Sequence, residues 1–373
     1  MPALLVTHGF PPDVGGIQTY LHVRCLGTPE EVVVAAPNRP GAAEFDREQP
    51  FCVFRWPSPP GSTRPMQLAG PLVTGLKAAR TESVEWIECG QALPVGLPVY
   101  VLARRLRVAY LVWAHGQELF RAQQAVWSKL GSARLQRFVL RNAKAVMANS
   151  GATAELVESL GVPASRIFVL APGVLPGSVE PAGGPGLRDR LELGDRPLVL
   201  SVSRLVPRKG HDVLLEAVAR AREEVPDLAC VIVGEGPHRA RLEARARQLG
   251  QTGHVFLPGK VDDLAEAYST ATVFALLSRH DPARGWWEGF GIVFREAGLH
   301  GVPVVATRAG GIADAVEDGE TGFLVPPDDP APAAAAIVRL VKDTELGRRL
   351  GERGREAATT HPDWSIIREA MTT

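Results

Sequence analysis

The strongest constraint on the fold is a repeated alternation: short apolar runs, each about one strand long, are followed by amphipathic stretches of helical length in both halves of the chain. Parallel strands covered by helices on both faces give this pattern, because their side chains are buried above and below the sheet. The chain is therefore predicted to be α/β throughout. Strands are expected in the first half at 3–7, 31–35, 52–56, 84–88, 108–113, 145–148 and 167–170. The second half restarts with P-L-V-L-S-V-S-R and continues through L-A-C-V-I-V-G-E-G, H-V-F-L-P-G, T-V-F-A-L-L-S and V-P-V-V-A-T, each followed by a helix-length stretch.

Between 172 and 194 the pattern lapses into P-G-V-L-P-G and P-A-G-G-P-G without apolar periodicity, as a linker would. With 373 residues, 45% of them hydrophobic, the chain can bury two cores. Two Rossmann-like domains are expected: 1–175, then a linker at 176–194, then 195–350. The halves share no fixed-period repeat, which argues against a solenoid. Ligands of open α/β sheets bind outside the carboxyl ends of the strands, so two such sheets face to face would make a deep cleft.

Lys plus Arg equals Asp plus Glu at 41 each, so no global field favours nucleic acid, and none is expected as a partner. Cys25, Cys52, Cys89 and Cys230 show no C-x-x-C spacing, arguing against a structural zinc site or disulfide framework and for a reducing cytoplasm. The N-terminal run Pro2 to Thr7 reads as a first strand, with no basic n-region before it. No stretch approaches the ~20 apolar residues needed to span a bilayer.

The segment E-G-F-G-I-V-F-R-E places Glu288 and Glu296 around Gly289, Phe290, Gly291 and Ile292. A helix starting near Phe290 would aim free amides at phosphate or sugar oxygens and set Glu296 about two turns further on. A capped helix with a solvated Glu296 fits the spacing equally well. In S-R-L-V-P-R-K-G-H, at a strand end, Arg204 and Lys209 flank a turn containing Pro207. Two fixed cations suit a diphosphate, and a donor that stabilises developing charge is typically worth roughly 3 kcal/mol. A basic loop beside a helix is the plain alternative.

In the first half, G-F-P-P-D-V-G-G-I-Q-T-Y follows strand one, and Gly15 and Gly16 open a helix. The segment lacks G-x-G-x-x-G, which argues against a dinucleotide dehydrogenase. V-W-A-H-G-Q-E ends another strand with His115 and Glu118 at its edge.

Taken in order, G-G-I-Q-T-Y, H-G-Q-E, R-L-V-P-R-K-G, V-G-E-G-P, E-G-F-G-I-V-F-R-E-A and A-G-G-I make the chain resemble glycosyltransferase family four over nearly its whole length, closest to the bacterial phosphatidylinositol mannoside mannosyltransferases. The resemblance implies a GT-B architecture, two Rossmann-like domains facing each other across a cleft, with the acceptor on the first and the nucleotide-sugar donor on the second. It implies that the last segment, 351–373, crosses back to the first domain as a helix around Trp364. Arg204 and Lys209 would grip the donor diphosphate, Glu288 the sugar hydroxyls and Glu296 the ribose. His115 would lie near the anomeric centre, and Gly16, beside Gly15, would approach the diphosphate. Amides around Phe290, Gly291 and Ile292 would contact sugar and phosphate, and Lys260 or Val261 would neighbour the base. Gln117 stands where that group often has His.

No D-x-D occurs, so the expected reaction is a metal-independent, cofactor-free retaining transfer in which side chains and helix amides meet the leaving charge. The expected donor is a nucleoside-diphosphate hexose, GDP-mannose first, and the acceptor a hydroxyl, of a lipid or glycolipid. A UDP- or ADP-sugar with a soluble acceptor, a GT-B epimerase or phosphorylase, and a non-catalytic sugar-nucleotide binder stand as alternatives. Between 121 and 144, Arg121, Lys129, Arg134, Arg137, Arg141 and Lys144 occur without an acid, interleaved with Trp127, Leu130, Leu135 and Phe138. Such a helix could make peripheral contact with an anionic membrane at its inner face, but an ordinary surface helix packing Leu135, Phe138 and Val139 on the sheet is the favoured reading.

Overall fold

The computed structural model describes residues 2–58, 64–123, 131–174, 186–261 and 263–372. It divides into two compact units. Unit 1 comprises Met1–Pro172, Ala283–Gly285 and Pro362–Thr373; unit 2 comprises Gly173–Pro282 and Trp286–His361.

Unit 1 is built on a seven-stranded, all-parallel sheet: β1 (Ala3–Val6), β2 (Val32–Pro37), β3 (Cys52–Trp56), β4 (Trp86–Cys89), β5 (Ala109–Ala114), β6 (Ala145–Ala148) and β7 (Ile167–Val169). Its spatial order is β3-β2-β1-β4-β5-β6-β7. All seven predicted strands are present. The helices are α1 (Gly16–Gly27), α2 (Ala42–Arg47), α3 (Arg64–Thr81), α4 (Gly96–Leu106), α5 (Gln117–Gln123), α6 (Ser132–Asn142) and α7 (Gly151–Ser159). On one face α3, α4, α6 and α7 bury Ala78, Leu102, Val139 and Val157 against Leu4, Ile87 and Val112. Gly75 and Gly96 bring these helices close: a Cβ at Gly75 would lie 2.6 Å from Leu102, and one at Gly96 2.7 Å from Val139.

The sheet of unit 2 has six parallel strands: β8 (Leu198–Val202), β9 (Ala229–Val233), β10 (Val255–Gly259), β11 (Val273–Leu276), β12 (Val304–Thr307) and β13 (Gly322–Val325). Their order is β10-β9-β8-β11-β12-β13. The edge strand β13 was not expected from sequence, because G-F-L-V is only four residues long, begins at a glycine and lacks a long apolar run. Helices α8 (Leu187–Arg190), α9 (His211–Glu224), α10 (Arg239–Gln248), α11 (Leu264–Ser269), α12 (Ile292–Leu299), α13 (Pro330–Lys342) and α14 (Thr344–Thr359) complete the unit. Asp263, Asp329 and Asp343 cap α11, α13 and α14 through side-chain bonds to backbone N–H groups, each cap worth about 1 kcal/mol.

Of the segment read as a linker, 176–185 lies outside the described residues; beyond it, Leu187 and Leu193 are buried in the core of unit 2. Residues 124–130, which include Trp127, Lys129 and Leu130, also lie outside. The chain ends in α15 (Ser365–Thr372), whose Ile367, Ala370 and Met371 join the core of unit 1 with Leu5, Trp86 and Trp113.

In both sheets the strand order reverses beside the first strand, between β1 and β4 and between β8 and β11. Loops leaving the two central strands diverge there and open a crevice at their carboxyl ends.

Candidate active site

The loop that follows β8 is held by backbone bonds before any side chain acts. Ser203 N–H donates to Val233 O and Leu205 N–H to Glu235 O, so V-G-E-G lies alongside it. A Cβ at Gly234 or Gly236 would come within 2.0 Å of Ser203 O or 2.3 Å of Leu205 O. Pro207–Lys209 then forms one 3-10 turn, closed by Gly210 at φ +62. A side chain at Gly210 would lie 1.9 Å from Leu277 O, so the turn sits directly on the end of β11.

That contact brings Lys209 to the glutamate loop. Lys209 Nζ lies 2.5 Å from Glu288 Oε2, Arg208 approaches the same oxygen at 3.4 Å, and Ser278 Oγ donates to it at 3.1 Å. Every protein contact to this carboxylate falls on Oε2, which leaves Oε1 open among the described residues. The side chain is 12% exposed, and that of Lys209 is 10% exposed. Burial alone would raise the Glu288 carboxyl, but Lys209 and then Arg208 hold it below the ordinary carboxylate range. Burial of Lys209 outweighs its pairing and holds the ammonium below the ordinary lysine value.

The glutamate loop is shaped from beneath. Glu288 O accepts from Gly311 N–H at 2.9 Å, and a Cβ at Gly310 would come within 2.3 Å of that carbonyl, so A-G-G-I is its floor. Gly289 and Phe290 are buried; Gly291, at φ +86, is the N-cap of α12. The helix therefore starts at Ile292 rather than near Phe290, because the left-handed residue is Gly291. Glu296 sits in its second turn, about one turn beyond the first helical residue. Tyr268 O–H donates to Glu296 Oε2 at 2.8 Å, and burial raises the Glu296 carboxyl.

The other predicted residues have these places in their own units. Arg204 opens the loop after β8 but is exposed, and its side chain has no partner among the described residues. Lys260 is exposed and Val261 buried, both just past β10, two strands away from the crevice. In unit 1, Gly15 caps α1 and Gly16 is its exposed first residue. His115 follows β5 and is buried, with Nε2 2.8 Å from Gly90 O. A carbonyl only accepts, so Nε2 carries the proton of this bond. Its backbone N–H donates to Glu118 Oε1 at 2.7 Å, giving Glu118 a positioning part. Gly90 lies at the unit 1 crossover, where a Cβ would meet Thr7 at 2.5 Å.

Arg208, Ser278 and Arg279 were not assigned from sequence. Arg279 pairs with both oxygens of Asp212 at 2.8 and 3.0 Å, donates to Pro207 O at 2.8 Å, and its N–H bonds Arg208 O at 2.7 Å. It ties the Lys209 turn to the end of β11. The available signal was position: S-R follows the strand adjoining β8 across the crevice.

Residues 187–357 match the family model for glycosyl transferases group 1, and residues 14–176 the model for Glycosyltransferase Family 4. A GDP-mannose-dependent alpha-(1-6)-phosphatidylinositol monomannoside mannosyltransferase of Mycolicibacterium smegmatis is 35% identical over 97% of this chain and 94% of its own length. The monoacylated-substrate counterpart of Corynebacterium glutamicum is 28% identical over 99% of this chain and 96% of its own. Anabaena Alr3699/HepE, solved with UDP, matches at TM-score 0.79 and 21% identity over 100% of this chain and 98% of that one. Two Rossmann-like sheets and this structural likeness define the fold as GT-B. The chain belongs to the glycosyltransferases of group 1 and family 4, and it is an enzyme of that kind.

Proposed function

We propose that this protein transfers mannose from GDP-mannose to a hydroxyl of a phosphatidylinositol mannoside or similar glycolipid, with retention of configuration and without a metal. The observation that carries the donor half is Glu288: its Oε2 is saturated by Lys209, Arg208 and Ser278, and its Oε1 is open to a sugar hydroxyl beside a buried ammonium. The mannosyl and lipid assignments rest on the relatives' substrates.

In this reading the bond from C1 of the sugar to the phosphate oxygen breaks and its electron pair stays on that oxygen. Lys209, Arg204 and Arg208 meet the charge, as preorganised cations stabilise a developing anion. The acceptor oxygen bonds C1 on the same face and its proton passes to the departing phosphate. Glu296 Oε1, free beside Tyr268, takes ribose hydroxyls, and amides of Phe290, Gly291 and Ile292 take sugar and phosphate oxygens. Gly15, Gly16 and the Nδ1 side of His115 are assigned to the same donor, and Lys260 or Val261 to the base. The enzyme would act in the cytoplasm at the inner face of the membrane; no described helix is long and apolar enough to cross one.

Calorimetry with GDP, UDP and ADP in the presence of EDTA tests the donor site, followed by mass and anomeric analysis of products from GDP-mannose. GDP should bind most tightly and unaffected by chelator, and Glu288→Gln should lower turnover by about 10² to 10³. Absence of nucleoside-diphosphate binding, a chelator-sensitive reaction, an inverted product or an unaffected Glu288→Gln enzyme would refute the corresponding part.

A further inference from the structure

Glu296 is held in a different way from Glu288. Three polar groups crowd Oε2 of Glu288, two of them cations. The carboxylate of Glu296 accepts a single hydrogen bond among the described residues, from Tyr268 O–H to Oε2 at 2.8 Å, and pairs with no cation among them. Burial pushes the Glu296 carboxyl up, and the Tyr268 bond opposes that rise. Tyr268 is itself buried; burial first and the Glu296 charge next hold its hydroxyl well above the ordinary tyrosine value, so it stays a donor. One neutral hydroxyl therefore favours the ionised form of Glu296 and decides which of its oxygens is occupied.

The core of unit 2 fixes where that hydroxyl stands. Tyr268 lies on α11, and its ring is stacked on His300 at 5.5 Å and 17° and tilted against Phe274 of β11 at 5.7 Å. Phe274 in turn meets Phe294 of α12 edge-on at 5.9 Å, two positions before Glu296. Tyr268, Phe274 and Phe294 belong to one core cluster, so the aromatic row that seats α12 on the sheet also seats the tyrosine. The helix has little room to shift, since a Cβ at Gly298 would lie 2.8 Å from Gly354 O of α14. Oε2 is thus held against Tyr268, and Oε1 is left without a protein partner among the described residues.

We infer that Tyr268 is a positioning residue that makes the site selective for ribose over deoxyribose in the donor nucleotide. The inference rests on the ribose assignment of Glu296 made above. A carboxylate fixed through one oxygen presents the other at a set place, where ribose hydroxyls can donate to it. Without the tyrosine hydroxyl the side chain is free to turn and its neutral form gains ground, and a protonated carboxyl spends one oxygen as a donor. A nucleotide lacking the ribose hydroxyls would bury Oε1 with no donor, which is the costly case for a site built to meet one. Tyr268 touches neither sugar nor phosphate in this reading; it acts through Glu296.

Calorimetry of the full chain with GDP and with its dideoxyribose analogue, on wild type, Tyr268→Phe, Glu296→Gln and the double variant, reads the contribution of the ribose hydroxyls. Phenylalanine keeps the ring between His300 and Phe274 and removes only the oxygen. Wild type should prefer GDP by about 10- to 100-fold. Tyr268→Phe should lower GDP affinity about tenfold and leave affinity for the analogue within about twofold. In the Glu296→Gln background the same change should have no further effect on the preference, because the tyrosine acts only through the glutamate. A tyrosine that merely supports the fold would weaken both ligands alike. Equal losses on the two ligands, or a full GDP preference in Tyr268→Phe where Glu296→Gln abolishes it, would overturn the inference and leave the donor reading standing. A preference untouched by Glu296→Gln, or no binding of either ligand, would refute the donor reading and this inference with it.

Discussion

Lys209 and Glu288 illustrate how one residue sets another's chemistry. Either alone would be a buried charge, which is costly; together, with Ser278 and Arg208, they form a satisfied cluster that still presents an open oxygen. His211 lies beside this cluster, buried, with Nε2 2.9 Å from Ser203 Oγ. Burial first and the Lys209 charge next push its imidazole down to about 3. An unfolded imidazole takes its proton near pH 6.5 and the folded one does not, so folding is opposed by a growing proton deficit as pH falls below that value. The loss levels off near pH 3. Glu288, held low when folded, adds its own loss only as pH falls through its folded value. Thermal unfolding of wild type should therefore decline between pH 7 and 5, and His211→Gln should flatten part of that decline. The other histidines with lowered values, His8, His22, His254 and His280, supply the remainder. Equal slopes for the two proteins would count against this account.

At the scale of elements, the crevice depends on loops that glycine alone can shape. Gly210 is left-handed and in backbone contact with Leu277, so no side-chain rearrangement can relieve an added methyl. Gly210→Ala should cost about 1–3 kcal/mol from the backbone conformation alone. The turn carrying Lys209 would also shift away from β11. Urea unfolding should show a lower midpoint, and calorimetry a weaker nucleoside-diphosphate affinity; retention of both would mean that the turn tolerates displacement. Arg279 works in the same direction from β11, holding Asp212 at the start of α9 and the carbonyl of Pro207 with one guanidinium.

For the whole molecule, the last helix belongs to the first core. Gly27 allows this, since a Cβ there would come within 2.1 Å of Trp364 Nε1, and Arg368 pairs with Glu31 at 2.9 Å. Beneath lies a buried ion pair, Arg24 with Glu88 at 2.7 Å, whose carboxylate also accepts from Trp113 Nε1 at 3.0 Å. Ile367 is the deepest anchor, 1% exposed among the residues of unit 1. Ile367→Ala should destabilise unit 1 by about 2–5 kcal/mol, seen as a lowered thermal midpoint and earlier proteolysis of the C-terminal segment. An unchanged midpoint would show that α15 contributes little to that core.

Every strand of the two sheets except β13 was legible in the sequence, because the inner strands are buried on both faces and so apolar almost throughout, and the partly exposed β3, β7 and β10 still keep short apolar runs, a local property. E-G-F-G-I-V-F-R-E and R-L-V-P-R-K-G were legible for the same reason: glycine and proline shape a loop from within. The tertiary structure decided what those residues meet. Lys209 and Glu288 stand 79 positions apart, and their contact follows from β8 and β11 being neighbours, a fact of strand order that no window of sequence contains. Strand order likewise leaves Lys260 and Val261 two strands from the crevice.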